Sequence, residues 1–424
     1  MISVGYERWG LSADTFNPRA LTTKREYEEL FVKKEERYIE FLLSLDKKNA
    51  IFCLEGKFGA GKTTSYNAFS YFARSERESL TLERPIEVKN FMNSADVLSQ
   101  ITERVANVLM GEIKTGTKRI SKKAKKDLEG IYYSSTSIGK GVQMKGSAKT
   151  PLFSIGRAKT DSITQTTGKS NLFDRLKYDL ETLGEIAIEE FGVRNVCLAL
   201  DELEYHKIDP EKSNKIIGGL RNAFFTNNYC FCLIGDNGLE SGLSTEPSFK
   251  GALSSGIKMD ELSSSEFHEV LKKRYEFYKS RNAYIPPFEG DVPDRLHEIS
   301  DGDVRWALHS LSRSFDWMVK TDVPRKLGSD DVIGVIYNDI QNKYRLPDPK
   351  WCVLDVIARF GEISPSDSEV LSELKIERPT LSGHLNKLKK EYVDLVRERT
   401  EGRKHLYYLG PDGLVLKKGG YIGR

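Results

Sequence analysis

Four apolar residues, Ile51 to Leu54, run unbroken into a glycine-rich turn, and similar runs recur at 195–202 (NVCLALDE) and 229–234 (YCFCLI). Short continuous apolar runs bounded by turn formers predict strands buried on both faces of a parallel sheet. Residues 85–92 (PIEVKNFM) and 256–262 (GIKMDEL) predict two more strands. Helical spacing fills the intervals: Leu30, Phe31, Tyr38, Phe41, Leu42 and Leu45, then Tyr66, Phe69, Phe72 and Ala73, then 95–111, 172–191 and 211–226. Residues 14–30 read as extended and then turn-like. Strands alternating with helices predict an α/β architecture.

From 263 to about 342 the pattern is helical, opened by Ser263 with Glu266 three residues behind. One helix follows Asp301-Gly302-Asp303-Val304-Arg305. The prolines of 346–350 (LPDPK) predict a linker. Beyond it, 351–360, 366–374 and 378–392 read as helices, and 394–399 and 405–409 as strands joined by a basic turn. Three helices and a basic-tipped hairpin predict a winged helix-turn-helix. One stretch breaks the rhythm. Residues 113–126 carry seven Lys/Arg and no acid, and 134–168 are rich in Ser, Thr, Gly and Lys. Alternation at Ile138, Val142 and Met144, then Leu152, Phe153 and Ile155, fits a hairpin or a mobile loop. The expected division is an α/β base over 1–262 with an insertion at 112–170, a helical segment over 263–345, and a winged helix over 346–424.

At 424 residues, two or three domains are expected. No run approaches the roughly 20 apolar residues of a membrane span, and the N-terminus lacks the apolar run of a signal peptide. A cytoplasmic, nucleoid-associated protein with no membrane partner is the expectation. Four of the five cysteines lie in predicted strands, where they read as small core residues rather than as a metal site. The net charge of +3 is too small to imply a polyanion partner by itself. Its distribution matters more: the 113–126 run is either a solvated segment or a nucleic-acid contact.

The chemistry begins at Gly56-Lys57-Phe58-Gly59-Ala60-Gly61-Lys62-Thr63, with Thr64 behind, a complete GxxxxGK[ST] loop where a strand ends and a helix starts. Its glycines allow successive N–H groups to turn inward around a phosphate, and the helix adds its positive end. Lys62 is expected on the β- and γ-phosphates and Thr63 on Mg²⁺, so ATP and Mg²⁺ are the expected cofactors. The strand ending Asp201-Glu202 supplies the second half. Asp201 would hold the metal shell, and Glu202 would orient or deprotonate the attacking water. At the end of the third run, Asn237, with Asp236 second, is the candidate to hold that water; a plain Asp-Asn-Gly turn is the alternative. Arg305, in the first turn of its helix, would point back at the γ-phosphate, and a surface salt bridge is the alternative. The helix at 30–45 would cover the base. In the C-terminal segment, Thr380, Ser382, His384, Asn386 and Lys387 would face the DNA major groove. Arg397, Arg399, Arg403 and Lys404 would set the wing against phosphates or the minor groove. A protein-binding winged helix is the other reading.

Taken together, GKFGAGKT, LALDE, IGDNG, the GDVR helix and the C-terminal winged helix resemble the archaeal origin-recognition and Cdc-type initiator group of AAA+ ATPases, or a mobile-element relative. The resemblance covers most of the chain apart from 112–170. It implies a P-loop AAA+ base with a parallel sheet, an α-helical lid and a DNA-binding winged helix. Asn237 would correspond to the first sensor and Arg305 to the second. Two departures stand out. Where the group often carries an arginine that serves a neighbouring subunit, this chain has Glu246-Pro247-Ser248-Phe249-Lys250, with Arg221 or Lys250 as unmatched substitutes. The insertion is also large for an initiator. The implied function is a slow, ATP-dependent DNA-binding ATPase that assembles as a nucleotide-dependent homo-oligomer on duplex DNA, in replication initiation or mobile-element maintenance. A protein partner through 112–170 or the winged helix stays open. So do two rivals, a transposon-targeting or defence-related ATPase and an ATP-liganded transcriptional regulator.

Overall fold

A computed structural model describes residues 3–146 and 169–423, except 48, 77, 83, 90–91, 117, 204–215, 222, 224–227, 246–248, 250–252, 255, 281–282, 345, 393, 402–403, 419 and 421. Helices α1 (Ser3–Trp9), α2 (Lys24–Leu30) and α3 (Glu35–Leu45) precede β1 (Ile51–Gly56) and α4 (Lys62–Glu76). Next come β2 (Leu80–Thr81), β3 (Ile86–Glu87), α5 (Ser94–Lys114), α6 (Lys122–Gly146) and α7 (Lys169–Glu189). Then follow β4 (Val196–Leu203), β5 (Tyr229–Gly235), α8 (Leu239–Thr245) and β6 (Ile257–Met259). These strands form one parallel sheet in the order β2-β4-β5-β1-β6, with β3 also paired to β4. With helices around it, this is a P-loop AAA+ α/β fold.

Alternate residues of the central strands enter two different cores. Ile51, Cys53, Leu198, Leu200, Phe231 and Leu233 pack on the side of α5 and α7. Phe52, Leu54, Ala199, Cys232 and Ile234 pack with Phe41, Tyr66 and Phe69 of α3 and α4. Covering both faces is why these strands read as unbroken apolar runs. Cys53, Cys197, Cys230 and Cys232 are buried here, and burial pushes the Cys230 thiol up to about 11.

Two readings of the first half are corrected. Residues 24–30 form a helix rather than a turn, started by a capping box in which Thr23 accepts from the Glu26 amide and Glu26 accepts from the Thr23 amide. The hairpin expected through Ile138, Val142 and Met144 is absent, because α6 runs through all three; Leu152, Phe153 and Ile155 lie outside the described residues. Helix α6 starts inside the basic run. Its Ala124, Leu128 and Ile131 share the core of α5 and α7, while Lys122, Lys123, Lys125 and Lys126 stay exposed. An apolar stripe at helical spacing was hidden among lysines, so at least this part of the supposed insertion belongs to the base.

The second half contains α9 (Ser264–Phe277), α10 (Val292–Ser300), α11 (Val304–Lys320) and α12 (Ser329–Lys343). It continues with α13 (Asp348–Phe360), β7 (Glu362–Ile363), α14 (Ser368–Leu374), α15 (Arg378–Glu391), β8 (Val396–Glu401), β9 (Lys404–Leu409) and α16 (Pro411–Lys418). The three strands form an antiparallel sheet in the order β7-β9-β8. A single core joins all of these elements, running from Leu296 and Phe315 through Leu354 and Leu385 to Leu416. The expected linker at 346–350 is therefore tightly held: Leu346 is buried, Pro347 leads directly into α13, and Lys350 donates to Glu391 at 3.0 Å. Asp412 fixes the join by accepting from Trp306 Nε1 at 2.8 Å and from the Tyr344 hydroxyl at 2.6 Å. Tyr6, Trp9, Leu11 and Phe16 also belong to this core rather than to the sheet.

Candidate functional site

The site lies at the C-terminal ends of β1, β4 and β5, where neighbouring parallel strands release their loops side by side. After β1 the loop turns through Gly59 (φ 80°) and Gly61 (φ 82°), both left-handed, before α4 begins at Lys62. Buried Lys62 folds over its own loop, donating to the Gly56 carbonyl at 2.9 Å and the Lys57 carbonyl at 3.1 Å. Thr63 Oγ1 donates to Asp201 Oδ2 at 2.7 Å. The two motifs read 138 residues apart in sequence thus meet directly. A hydroxyl and a carboxylate are hard oxygen donors of the kind Mg²⁺ takes, so this pair fits that ion.

Glu202 shows how the sheet shapes the site. The β4–β5 register shifts between Leu200 and Leu203, a bulge that places Glu202 at φ 66°. Left-handed glutamate is uncommon, and bulges beside functional sites re-aim side chains. The Glu202 amide donates to Asp201 Oδ1 at 2.7 Å, which fixes the neighbouring carboxylate. From the β5 end, it is Asp236 that approaches Lys62, at 3.7 Å, while Asn237 is exposed in the turn. Glu55, buried on β1, holds that turn by accepting from the amides of Gly238 (3.3 Å) and Glu240.

Beside the loop is a cleft, open to solvent and lined by Leu21, Leu30, Phe31, Val270, Arg274 and Leu308 together with Gly59, Ala60, Gly61, Thr64 and Arg305. Leu30 and Phe31 stand where a base cover was expected. Arg274 is buried and donates to the carbonyls of Thr15 (3.2 Å) and Asn17 (2.9 Å), so the N-terminal strap forms part of the wall. Burial lowers its pKa to about 10.

The far half of the site comes from the second core. Lys57 pairs with Glu261 at 2.6 Å and Asp301 at 2.9 Å. Burial opposes the Lys57 charge, but these bonds outweigh it and raise the pKa. Asp303 is buried at 1% exposure and caps α11 by accepting from the Trp306 amide at 2.9 Å. Arg305 sets its guanidinium 5.4 Å from the centre of the Phe58 ring.

The C-terminal candidates divide. On α15, Leu381, Leu385 and Leu388 are buried, which leaves Thr380, Asn386 and Lys387 exposed and Ser382 and His384 half-buried on the outer side. Arg399 is exposed and pairs with Glu362 at 2.8 Å; Lys404 pairs with Asp367 at 3.3 Å. Arg403 lies outside the described residues. Arg397 is the correction. It is buried at 8% exposure and bonds Asp303 at 2.5 Å, so it faces the phosphate loop rather than an open wing. Arg397 and Arg399 share one face of β8, and only Arg397 lies where Asp303 covers it, a long-range contact that no local pattern reveals.

No protein-family model and no curated protein matches the chain. Solved structures do. The Walker-type ATPase PABY2304 of Pyrococcus abyssi is similar over 95% of this chain and 99% of that one, with a TM-score of 0.51 and 16% identity. The Aeropyrum pernix Orc1 protein, solved in complex with DNA, is similar over 96% and 97% (TM-score 0.48, 14% identity). Cdc6p from Pyrobaculum aerophilum is similar over 97% and 99% (TM-score 0.44, 15% identity). The first of these establishes a shared fold, and the origin-recognition and Cdc6 proteins named by resemblance are among the structural neighbours.

Proposed function

We propose that the chain is an ATP-dependent DNA-binding AAA+ ATPase whose nucleotide state controls its assembly on duplex DNA, in replication initiation or mobile-element maintenance. The observation that carries the ATPase half is the Thr63–Asp201 pair at 2.7 Å, beside a buried Lys62 in a complete phosphate loop. In this reading 1–262 is the base, apart from the segment of Tyr6 to Phe16 that packs into the second core, 263–345 is the lid and 346–424 a winged helix-turn-helix. Thr63 and Asp201 would hold Mg²⁺, whose charge would offset that of the bound phosphates. Lys62 would bind the β- and γ-phosphates, and Glu202 would orient or deprotonate the water. The strand-end turn, through Asn237 as first sensor or Asp236, and Arg305 from the lid respond to the terminal phosphate.

For DNA, α15 enters the major groove with Thr380, Ser382, His384, Asn386 and Lys387, while Arg399, Arg403 and Lys404 meet backbone phosphates. Its buried apolar stripe and exposed polar side support this, as does the strand hairpin beside it. Homo-oligomerisation and a protein partner through 112–170 or the winged helix complete the proposal.

The test uses the full chain, because cutting at Leu346 would split a shared core. Phosphate release and duplex binding are measured across a salt series with ATP, ADP or no nucleotide, for wild type, Lys62→Ala, Glu202→Gln and Lys387→Ala. Wild-type turnover that both loop and strand variants abolish, with ATP-dependent binding weakened by Lys387→Ala, supports the reading. DNA binding indifferent to nucleotide and to Lys387→Ala would refute it.

A further inference from the structure

Arg397 sits where a wing arginine has no reason to be. The neighbouring wing cations are open, with 55% of the Arg399 side chain and 52% of Lys404 exposed, against 9% for Arg397. Its partner Asp303 rests on the phosphate loop itself: a Cβ on Gly59 would fall 1.9 Å from Asp303 Oδ1. The Arg397 guanidinium lies 5.8 Å from the Phe58 ring centre, so two guanidiniums, those of Arg305 and Arg397, flank one loop side chain. Tyr408, directly opposite Arg397 across the β8–β9 ladder, turns the same way, and its surroundings include Lys57 and Asp301.

A second observation points to a ligand. Arg397 Nε is buried and has no hydrogen-bond partner among the described residues. A guanidinium carries five N–H donors in a planar fork suited to phosphate, and buried donors are rarely left unmet. Asp303 takes one edge of this fork and leaves donor capacity beside the loop.

We infer that Arg397 belongs to the nucleotide site, as a residue supplied in cis by the C-terminal sheet to the terminal phosphate of a nucleoside triphosphate. The inference rests on the ATPase reading. It explains how one chain with no matching trans-acting arginine could still register a third phosphate. It also gives the route by which that phosphate reaches DNA, since Arg397 is on the strand that carries the wing. Asp303 is the positioning residue: it holds the guanidinium in place and caps the Arg305 helix with the same carboxylate.

The test is binding of fluorescent ATPγS and ADP to the full chain, for wild type, Arg397→Ala, and the double variant Asp303→Asn/Arg397→Gln. The double variant removes both buried charges together and keeps an amide oxygen to cap Trp306, so it folds even where the single variant, leaving Asp303 unpaired, does not. The inference expects the preference for ATPγS over ADP to fall about tenfold or more in each folded variant, the effect of one charge-assisted hydrogen bond, with ADP affinity nearly unchanged. The ATPγS-dependent gain in duplex affinity should shrink alongside. An unchanged ATPγS-to-ADP ratio in the double variant overturns the inference, and a drop in duplex affinity equal in all nucleotide states returns Arg397 to DNA. Wild type that binds neither nucleotide fails the ATPase reading itself. Wild type that binds both while the variants keep the ratio fails only the inference.

Discussion

Gly59 and Gly61 offer a matched pair of perturbations on one loop. Both are left-handed, at φ 80° and 82°, so alanine at either strains the backbone by about 1–2 kcal/mol. Their surroundings differ completely. An added Cβ at Gly61 meets nothing within 4 Å, whereas at Gly59 it falls 1.9 Å from Asp303 Oδ1 and 2.3 Å from its Cγ. Asp303 cannot yield freely, because it is 1% exposed and held by both the Trp306 amide and Arg397. Moving it loses a helix cap, about 1 kcal/mol, and separating a buried ion pair adds about 3–5 kcal/mol. Gly59→Ala should therefore destabilise the nucleotide-free protein by at least 1 kcal/mol more than Gly61→Ala, and by about 4–6 kcal/mol more if the pair separates. Urea unfolding without nucleotide measures the difference, and amide exchange at Trp306 locates it. Protection of that one amide should fall in Gly59→Ala and persist in Gly61→Ala. Equal destabilisation, with Trp306 protected in both, would refute the contact between the loop and the start of α11.

Three further outcomes follow from other parts of the molecule. Glu55→Ala removes the acceptor of the Gly238 and Glu240 amides; it should cost about 1–3 kcal/mol and lower turnover by loosening the turn that carries Asp236, both read from unfolding and phosphate-release assays. Arg274→Met keeps the volume but leaves the carbonyls of Thr15 and Asn17 unmet, so exchange should rise across 10–20 and stability fall by about 2–4 kcal/mol. Burial, then Asp412, raises the pKa of Asp394. A carboxyl raised on folding resists ionisation, so its cost is absent below the unfolded pKa near 4 and complete above the folded value. Asp394→Asn should accordingly raise the unfolding temperature at pH 7 and leave it unchanged in acid; a gain at every pH would refute this assignment.

What the sequence disclosed, and what it hid, follows from the range of the interactions involved. The phosphate loop and the Asp201-Glu202 strand end were readable because each is a contiguous motif whose geometry is set within a few residues. The strands were readable because a sheet covered on both faces demands unbroken apolar runs. The capping box at Thr23 and Glu26 is also printed in the chain, masked by the turn formers around it. The α6 stripe of Ala124, Leu128 and Ile131 is masked likewise, its helical period outweighed by the lysines between its members. The bulge at Glu202 is different. It depends on how β4 registers against β5, which no local pattern encodes.

Arg397 and Asp303 lie 94 residues apart, and each taken alone had a sufficient local explanation. The arginine looked like a wing cation, and the aspartate is a helix N-cap. Only the core shared by α9–α12 and the C-terminal segment brings them together, and that core is concealed by a proline-punctuated stretch that reads as a linker but starts a helix. A flexible linker would let the C-terminal segment search for DNA independently of the nucleotide. A continuous core, with Asp412 bonded to Trp306 and Tyr344, cannot decouple them in that way. Any motion of Asp303 that accompanies phosphate binding must either carry the C-terminal sheet with it or break the Arg397 bond. Under the proposed function, control of DNA binding by nucleotide turns on which of those two happens, and the double variant at Asp303 and Arg397 separates them.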